Sequence, residues 1–323
     1  MGSDSSIDIT LNNIWRCWYT WRQGKKRTAA IDNFSYSLER YLFDLWSSLK
    51  AGTYRHSKYQ KFIIADTKKR LISVASIRDR IVHRLLYDYL TLIFDRTFIY
   101  DAWSCRIDKG LHACIERTHS LIKKFRRGWV WRADIAKFFD NVDHDVLKSC
   151  VFRRVYDPKA RSLIEETISS FSTAPGKGIP IGNLTSQVFA NIYLNELDRF
   201  VSHIIRPLAM VRYGDDFLVI GQNRDQVSMW RDLIRDFLEQ SLKVAVHKKN
   251  DIIVPAHAGV HFVGLKITPL EKRLKKRMVG RIKSRLTFAN ISSYRFLSSA
   301  YESDSMLQWI DWHIANELSS LYE

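Results

Sequence analysis

The chain has 323 residues, 46% of them hydrophobic, which suffices for one multi-lobed enzyme or two ordinary domains. Its 51 Lys and Arg residues exceed its 34 Asp and Glu residues, and the formal charge of +17 predicts a nucleic-acid partner. No apolar run is long enough to span a membrane, and Cys17, Cys105, Cys114 and Cys150 form no C-x-x-C pair. We therefore expect a cytoplasmic protein with reduced thiols, no zinc site and no membrane partner.

The N-terminal region, residues 1–53, is predicted to be helical. Trp15, Trp18 and Trp21 recur at helical spacing in residues 11–27, which favours an aromatic stripe packed on the next helix over base stacking. A second helix is expected over residues 33–50, with Asp32 or Asn33 as its cap.

The middle of the chain is predicted to contain both helices and strands. Residues 54–74 read as a hairpin with a basic tip at residues 68–70, and residues 77–98 as an amphipathic helix. Further helices are expected after residue 104, from Asp143, at 161–171, at 183–205 and at 225–242, and short strands at 243–246, 252–254 and 260–267.

Two acidic segments carry the chemistry. MVRYGDDFLVIG, residues 210–221, predicts a hairpin with Asp215 and Asp216 at its tip, although a solvated turn has the same composition. WVWRADIAKFFDNVDH, residues 129–144, predicts a strand that ends in Asp134. Laid side by side, these segments would place three carboxylates around two metal ions, as in-line nucleotidyl transfer requires.

With these segments placed, the chain resembles the palm of reverse transcriptases. The resemblance rests on Asp134, the aromatic residue five positions later, the aromatic-x-Asp-Asp hairpin and GKGIPIGNLTSQVFANIYLNELD at 176–198, which is similar to the family's Gly/Pro loop and following helix. RDRIVHRLL and SCRIDKGLHACI are similar to further shared blocks, and the similarity covers residues 15–266.

The resemblance implies an α+β right-hand polymerase. Its fingers would be residues 54–128, partly joined by 161–182; its palm, with an antiparallel sheet, residues 129–268; and its small helical thumb residues 269–323. The N-terminal helical extension, residues 1–53, would precede them.

The implied activity is that of an RNA-directed DNA polymerase, which makes cDNA from dNTPs on a template RNA. Asp134 and Asp215 would be the main ligands of two Mg²⁺ ions, for which Mn²⁺ can substitute, with Asp216 as third carboxylate and the carbonyl of Ile135 as a further oxygen donor. Asp140, Asp143 and Asp145 are expected to be capping or surface acids.

The family also implies nucleotide contacts. Phe139 would clash with a ribose 2′-hydroxyl and so select deoxynucleotides, although one of the adjacent Phe138 and Phe139 should be core. The other nucleotide-binding positions are Lys61 and Arg70 at the triphosphate, Ile181 and Gln187 in the loop and helix, and either Lys248 or Lys249, which the sequence does not separate.

Basic residues are expected to contact template RNA and the RNA–DNA duplex. Arg106 and Lys109 would touch template or nucleotide, and the run after Leu270 would make sequence-independent phosphate contacts. The full expected set is Lys25, Lys26, Arg27, Arg106, Lys109, Lys272, Arg273, Lys275, Lys276 and Arg277.

The segment PIGNLTSQ, residues 180–187, departs from the intron and retroviral pattern. Those enzymes usually have Pro-Gln-Gly and a later Ser-Pro, where this chain has Ile181 and Gln187. An apolar Ile lacks the polar contacts of Gln, which reduces discrimination between right and wrong pairs. The form resembles reverse transcriptases of diversity-generating retroelements, which implies errors opposite template adenines, mutagenic retrohoming of a template-repeat RNA, and an oligomeric accessory variability protein as partner.

Other functions remain open. Within polymerases, they are a retron-like, intron-derived or phage-defence reverse transcriptase, in bacteria or encoded by a phage. An RNA-dependent RNA polymerase also uses a GDD hairpin, although Phe139 argues against it. A catalytically inactive RNA-binding protein is a third class.

Overall fold

The computed structural model describes residues 6–65, 69–302 and 304–319, except the side chains of residues 65, 69, 70 and 317–319. The α-helices of this part are α1 Leu11–Arg22, α2 Ala29–Tyr36, α3 Leu38–Lys50, α4 Ile77–Phe94, α5 Leu111–Lys124, α6 Phe138–Asn141, α7 His144–Phe152, α8 Pro158–Ser169, α9 Leu184–Phe200, α10 Arg224–Gln240, α11 Lys276–Arg285, α12 Ile291–Tyr301 and α13 Asp304–Ser319. Its strands are β1 Gln60–Ala65, β2 Lys69–Val74, β3 Trp129–Asp134, β4 Ala209–Tyr213, β5 Asp216–Gly221, β6 Ile252–Pro255, β7 Val260–Phe262, β8 Leu265–Ile267 and β9 Lys272–Leu274.

The N-terminal helices pack through the predicted aromatic stripe. Trp18 and Trp21 are buried, and the Trp18 ring lies 5.0 Å from that of Phe34. The prediction of one helix over residues 33–50 was wrong. Thr28 accepts a hydrogen bond from the Ile31 amide and starts α2 earlier, and Ser37 separates α2 from α3.

The fingers hairpin pairs β1 with β2, from Gln60 opposite Val74 to Ala65 opposite Lys69. Lys68, at the predicted basic tip, lies outside the described residues. Ser76 caps helix α4, since its side chain accepts a hydrogen bond from the Asp79 amide, and the helix packs against α9. The hairpin is therefore connected through α4 to the centre of the molecule.

The central sheet has the strand order β4-β5-β3-β6, and its pairs are antiparallel. Alternate residues of a strand point to opposite sides of the sheet, so each strand contributes to the packing on both faces. Trp131 and Phe217 pack in a core with α9 and α10, whereas Val130 and Leu218 pack in a second core with α5 and the C-terminal elements. Helices and antiparallel sheets thus form the α+β arrangement that the sequence predicts.

The C-terminal part differs from the prediction in three places. Residues 243–246 form no strand, although Val246 makes an isolated bridge to Ile135. Residues 260–267 form two strands, β7 and β8, because the backbone turns at Val263 and Gly264, both with positive φ. The tail begins with β9, since buried Leu274 pairs with Leu265, so Lys272 and Arg273 lie on a strand and not on a thumb helix.

The fold contains no candidate bilayer span: of the helices in the described residues, none is both long and apolar enough to cross a membrane. Cys17, Cys114 and Cys150 are buried and Cys105 is exposed, and all four are free thiols.

Candidate active site

The acidic pair Asp134 and Asp215 lies where β3 ends and the β4–β5 turn begins. Gly214, at φ +66°, allows the tight turn, and the Ile135 amide donates to the Asp215 carbonyl at 3.3 Å. Burial, followed by the negative charge of Asp134, raises the pKa of Asp215 to about 6. A carboxylate whose ionisation is disfavoured by a second carboxylate beside it fits a hard divalent cation, whose positive charge would offset the repulsion.

Asp216, the third predicted carboxylate, is bound by Arg132. The Nε and Nη2 atoms of Arg132 each donate to a different carboxylate oxygen of Asp216 at 3.0 Å. In the described part of the chain, no three or more His, Cys, Asp or Glu side chains are grouped as a metal site. Asp216 lies opposite Asp134 on the paired strand β5, with its charge balanced by Arg132, and its role as the third carboxylate stays a prediction.

Asn250 connects the acidic pair to this arginine. Its Nδ2 donates to Oδ2 of Asp134 at 2.8 Å, and its Oδ1 accepts from Nη1 of Arg132 at 3.3 Å. Neither residue was among the site residues expected from the sequence. Arg132 could have been identified from the sequence, since it lies two positions before Asp134 and therefore on the same face of β3. Asn250 could not, because it is distant from Asp134 in sequence.

The turn that supplies Asn250 also carries Lys248 and Lys249. The three residues form a 3-10 helix, and the amide of His247 before it donates to the Asp134 carbonyl at 2.7 Å. Both lysines are exposed, and neither forms an ion pair with another described residue. The structure thus places both near the acidic pair and does not separate them.

The carbonyl of Ile135, the predicted backbone ligand, follows directly after Asp134. Its side chain is buried, and among the described residues no group donates a hydrogen bond to its carbonyl. An oxygen with free lone pairs beside two carboxylates fits a further cation ligand.

Phe138 and Phe139 occupy α6, a single helical turn that follows β3. Phe138 is 2% exposed and belongs to the core, whereas Phe139 is half-buried. The carbonyl of Phe139 accepts from the Ile179 amide at 2.8 Å, so the Gly/Pro loop is fixed to the aromatic turn.

Ile181 and Gln187 lie on this loop and on the first turns of α9. The half-buried Ile181 accepts from the Ser73 amide at 3.3 Å, and Asn183 donates to the Ser73 carbonyl at 2.8 Å, so the loop rests on β2. Gln187 is exposed and lines a cavity of about 420 Å³ together with Lys25 and Arg80.

The finger residues are placed on the hairpin as expected. Lys61 is exposed on β1, with Nζ 5.8 Å from the centre of the Phe171 ring. Arg70 lies opposite Ile64, but its side chain lies outside the described part.

Arg106 and Lys109 are bound within the protein. Arg106 donates to Asp95 at 2.8 Å and to the carbonyls of Ile99 and Ala102. Lys109 donates to the Tyr100 carbonyl at 2.9 Å, and its Nζ lies over that tyrosine's ring. These contacts hold both side chains against the protein, and the expected contact of each with nucleic acid stays a prediction.

The basic residues of the tail fall into three groups: paired, half-buried and exposed. Lys272 pairs with Glu116, and Arg273 pairs with Glu271 at 2.8 Å. Lys275 is half-buried, and burial, together with the nearby charge of Arg132, lowers its pKa. Lys276 and Arg277 are exposed and form no ion pair with the described residues.

The N-terminal basic cluster is exposed. Lys25 lies over the Trp21 ring at 5.2 Å, and Lys26 lines a neighbouring cavity of about 920 Å³. Arg27 pairs with Asp32 at 3.2 Å, which leaves Lys25 and Lys26 as the unpaired charges of this cluster within the described part.

A buried ion pair supports the acidic turn from below. Nε and Nη2 of Arg212 donate to the two carboxylate oxygens of Asp198 at 2.7 and 2.5 Å. Its Nη1 donates to the carbonyl of Gly214 at 3.1 Å and to Asn191 at 3.2 Å. Arg212 is therefore a positioning residue for the turn that carries Asp215.

The fold is similar to that of a solved telomerase. The structure of telomerase from Candida albicans, in complex with a fragment of telomeric RNA, aligns with a TM-score of 0.55 over 88% of this chain and 58% of that chain, at 12% identity. At this identity, the likeness shows the fold alone, which is that of a right-hand polymerase.

Curated relatives were found by sequence. Protein YkfC of Escherichia coli (strain K12) is 26% identical over 68% of this chain and 69% of its own length. The group II intron-encoded protein LtrA of Lactococcus lactis subsp. cremoris is 22% identical over 79% of this chain. The chain spans 53% of the length of LtrA.

The family model described as reverse transcriptase (RNA-dependent DNA polymerase) matches residues 58–267, from the fingers hairpin through the acidic pair to the end of β8. This match covers more than half of the chain and includes both acidic segments. The chain therefore belongs to the reverse transcriptase family.

Proposed function

We propose that this protein is an RNA-directed DNA polymerase that extends a primer on an RNA template by two-metal nucleotidyl transfer. The observation that carries the proposal is the half-buried pair of Asp134 and Asp215 at the junction of β3 and the β4–β5 turn, in which the charge of Asp134 helps to raise the pKa of Asp215. The family assignment supports the same chemistry.

In this proposal, Asp134, Asp215 and the carbonyl of Ile135 would hold Mg²⁺ ions, with Asp216 as the third carboxylate. The ions would supply the positive charge that lowers the pKa of the primer 3′-hydroxyl and stabilises the pyrophosphate leaving group. Arg132 neutralises Asp216 and, through Asn250, fixes the orientation of Asp134. Phe139 excludes a 2′-hydroxyl. Lys61, Arg70 and one of the two lysines at 248 and 249 bind the triphosphate.

Primer extension on an RNA template tests this activity. We expect Mg²⁺-dependent extension with dNTPs, abolished in Asp215→Ala and retained in Asp225→Ala, a control that removes an exposed acid from α10. Incorporation of ribonucleotides in preference to deoxynucleotides would indicate an RNA polymerase. RNA binding without extension by either chemistry would indicate an inactive binding protein.

We further propose that the enzyme serves a diversity-generating retroelement and copies template adenines with errors in the bacterial cytoplasm. The support is Ile181, an apolar residue where intron and retroviral enzymes usually have Gln. It lies on the loop fixed to both Phe139 and β2. The proposed partners are a template-repeat RNA and an oligomeric accessory variability protein.

A second candidate is a reverse transcriptase of the intron-derived type, with retron-like and phage-defence enzymes as related forms. The similarity to LtrA favours it. Sequencing of cDNA from an adenine-containing template separates the two candidates. Errors concentrated opposite adenine support the retroelement, and uniformly faithful copying supports the intron-derived type.

A further inference from the structure

A cavity of about 750 Å³ lies between the C-terminal end of α4, the end of α7 and one face of α9. The α9 residues that line it are Ile192, Asn195, Glu196 and Arg199, which share one helix face at spacings of three and four. Asn195 lies eight residues beyond Gln187 on this helix, or about 12 Å at 1.5 Å per residue. The cavity is therefore separate from the proposed polymerase site.

The charge of this cavity is strongly positive. Its lining includes the four arginines Arg96, Arg153, Arg154 and Arg199 and a single acid, Glu196. Glu196 neutralises Arg153 at 2.8 Å, whereas the exposed Arg96, Arg154 and Arg199 form no ion pair with any residue that the structure describes. Three uncompensated guanidinium groups around one concavity are suited to a phosphate.

The floor of the cavity holds an unsatisfied polar group. Asn195 is 6% exposed, and its buried Oδ1 accepts no hydrogen bond from the described residues. An unpaired buried acceptor costs free energy, which a ligand with an N–H donor would recover. The lining of the cavity also includes Tyr156, a 63% exposed residue whose ring offers a surface on which a base can stack.

We propose that this cavity is a second nucleotide site, which binds the phosphate of one nucleotide through Arg96, Arg154 and Arg199 and its base through Asn195 and Tyr156. The volume of about 750 Å³ lies in the range of small-molecule sites. The nucleotide is either free or part of an RNA chain, since both offer the same phosphate and base. The site does not depend on the polymerase proposal.

Photo-cross-linking to the full chain tests the site. The probes are 8-azidoadenosine 5′-monophosphate and a single-stranded RNA of about ten nucleotides that contains 4-thiouridine, a length that one binding groove can hold. Each is added with saturating unlabelled primer–template duplex to fill the polymerase cleft. We expect adducts on Tyr156 or within residues 192–199. Labelling by the mononucleotide identifies a free nucleotide, and labelling by the RNA alone identifies a chain.

Two variants and a matched control identify the residues responsible. Arg154→Ala/Arg199→Ala should reduce labelling about tenfold, since charge-assisted hydrogen bonds are lost, without changing primer extension. Arg40→Ala/Arg231→Ala removes two helical surface arginines and should leave labelling unchanged. Asn195→Leu should reduce labelling about threefold or more while the thermal midpoint stays or rises, because an unpaired oxygen is removed.

Three results would overturn the proposal. One is the absence of adducts at these positions with either probe. Another is an Asn195→Leu protein that loses stability yet keeps its labelling, which would make Asn195 structural. The third is competition by hexaglutamate but not by adenosine monophosphate, which would indicate a cavity for an acidic peptide.

Discussion

The raised pKa of a single residue, Asp215, makes the stability of the folded protein depend on pH. Its pKa in the folded protein is about 6, raised by burial and by Asp134, whereas an unfolded Asp titrates at about 3.9. The ionised form is thus disfavoured by folding. This cost is absent below the unfolded pKa and is complete above pH 6.

We expect Asp215→Asn to stabilise the metal-free protein at pH 7.5 by about 1–3 kcal/mol and to have little effect at pH 4. Urea denaturation in EDTA at the two pH values measures the difference, with Asp225→Asn as the control for an exposed carboxylate. An equal change in the free energy of unfolding at both pH values would show that ionisation of Asp215 does not destabilise the folded protein.

Ile181 is the residue on which the subfamily proposal depends. Ile181→Gln restores a polar side chain that can hydrogen-bond to nucleotide and template, so misincorporation opposite template adenine should fall by about tenfold. Ile181→Leu keeps the apolar character and should retain the errors. Sequencing of cDNA from both variants measures the rates, and equal error spectra would remove Ile181 from the explanation.

At the scale of elements, α9 and β4 are joined by the buried pair of Asp198 and Arg212 beneath the acidic turn. Both side chains are at most 1% exposed, and Arg212 also donates to the Gly214 carbonyl. Removing one member leaves the other charged and buried without a partner.

We expect Asp198→Asn to lower the free energy of unfolding by about 3–5 kcal/mol, and Asp198→Leu/Arg212→Met to recover part of that loss. Denaturant unfolding of the single and double variants provides the measurement. Arg231→Ala, which removes a partly exposed arginine paired with Asp232, should cost about 1 kcal/mol or less. A comparable loss in Arg231→Ala would mean that burial does not set the cost.

At the scale of the whole molecule, the formal charge of +17 predicts strong, salt-dependent attraction to RNA. The structure divides the basic residues into those bound by the protein, such as Arg106, and those left exposed, such as Lys276 and Arg277. The exposed group is the one available to neutralise phosphates.

Lys276→Ala/Arg277→Ala should therefore reduce the slope of log K against log salt by about 1.4–1.8 for an RNA–DNA duplex, since each of the two phosphate contacts contributes about 0.7–0.9. Arg106→Ala should lower stability and leave the slope unchanged. Binding measured at several salt concentrations decides between them. A slope altered by Arg106→Ala but not by the double variant would reverse this assignment.

The sequence by itself determined the elements with strong local signals and the family. The alternation of β3 and β5, the turn at Gly214 and the amphipathic α10 were predictable, because side-chain period and turn chemistry are local properties. The positions of Asp134 and Asp215 were predictable for the same reason, since each ends or precedes a recognisable strand, whereas their role as metal ligands stays a prediction.

Only the tertiary structure decided which charges remain available. Asp216 is paired with Arg132, Asn250 reaches Asp134 from a distant turn, and Arg106 is held by Asp95. Likewise, the strand β9 at the start of the tail forms by antiparallel pairing with β8, in which Leu274 lies opposite Leu265. Such outcomes depend on side chains far apart in the chain, and the free energy of pairing them arises only once the strands and helices have packed together.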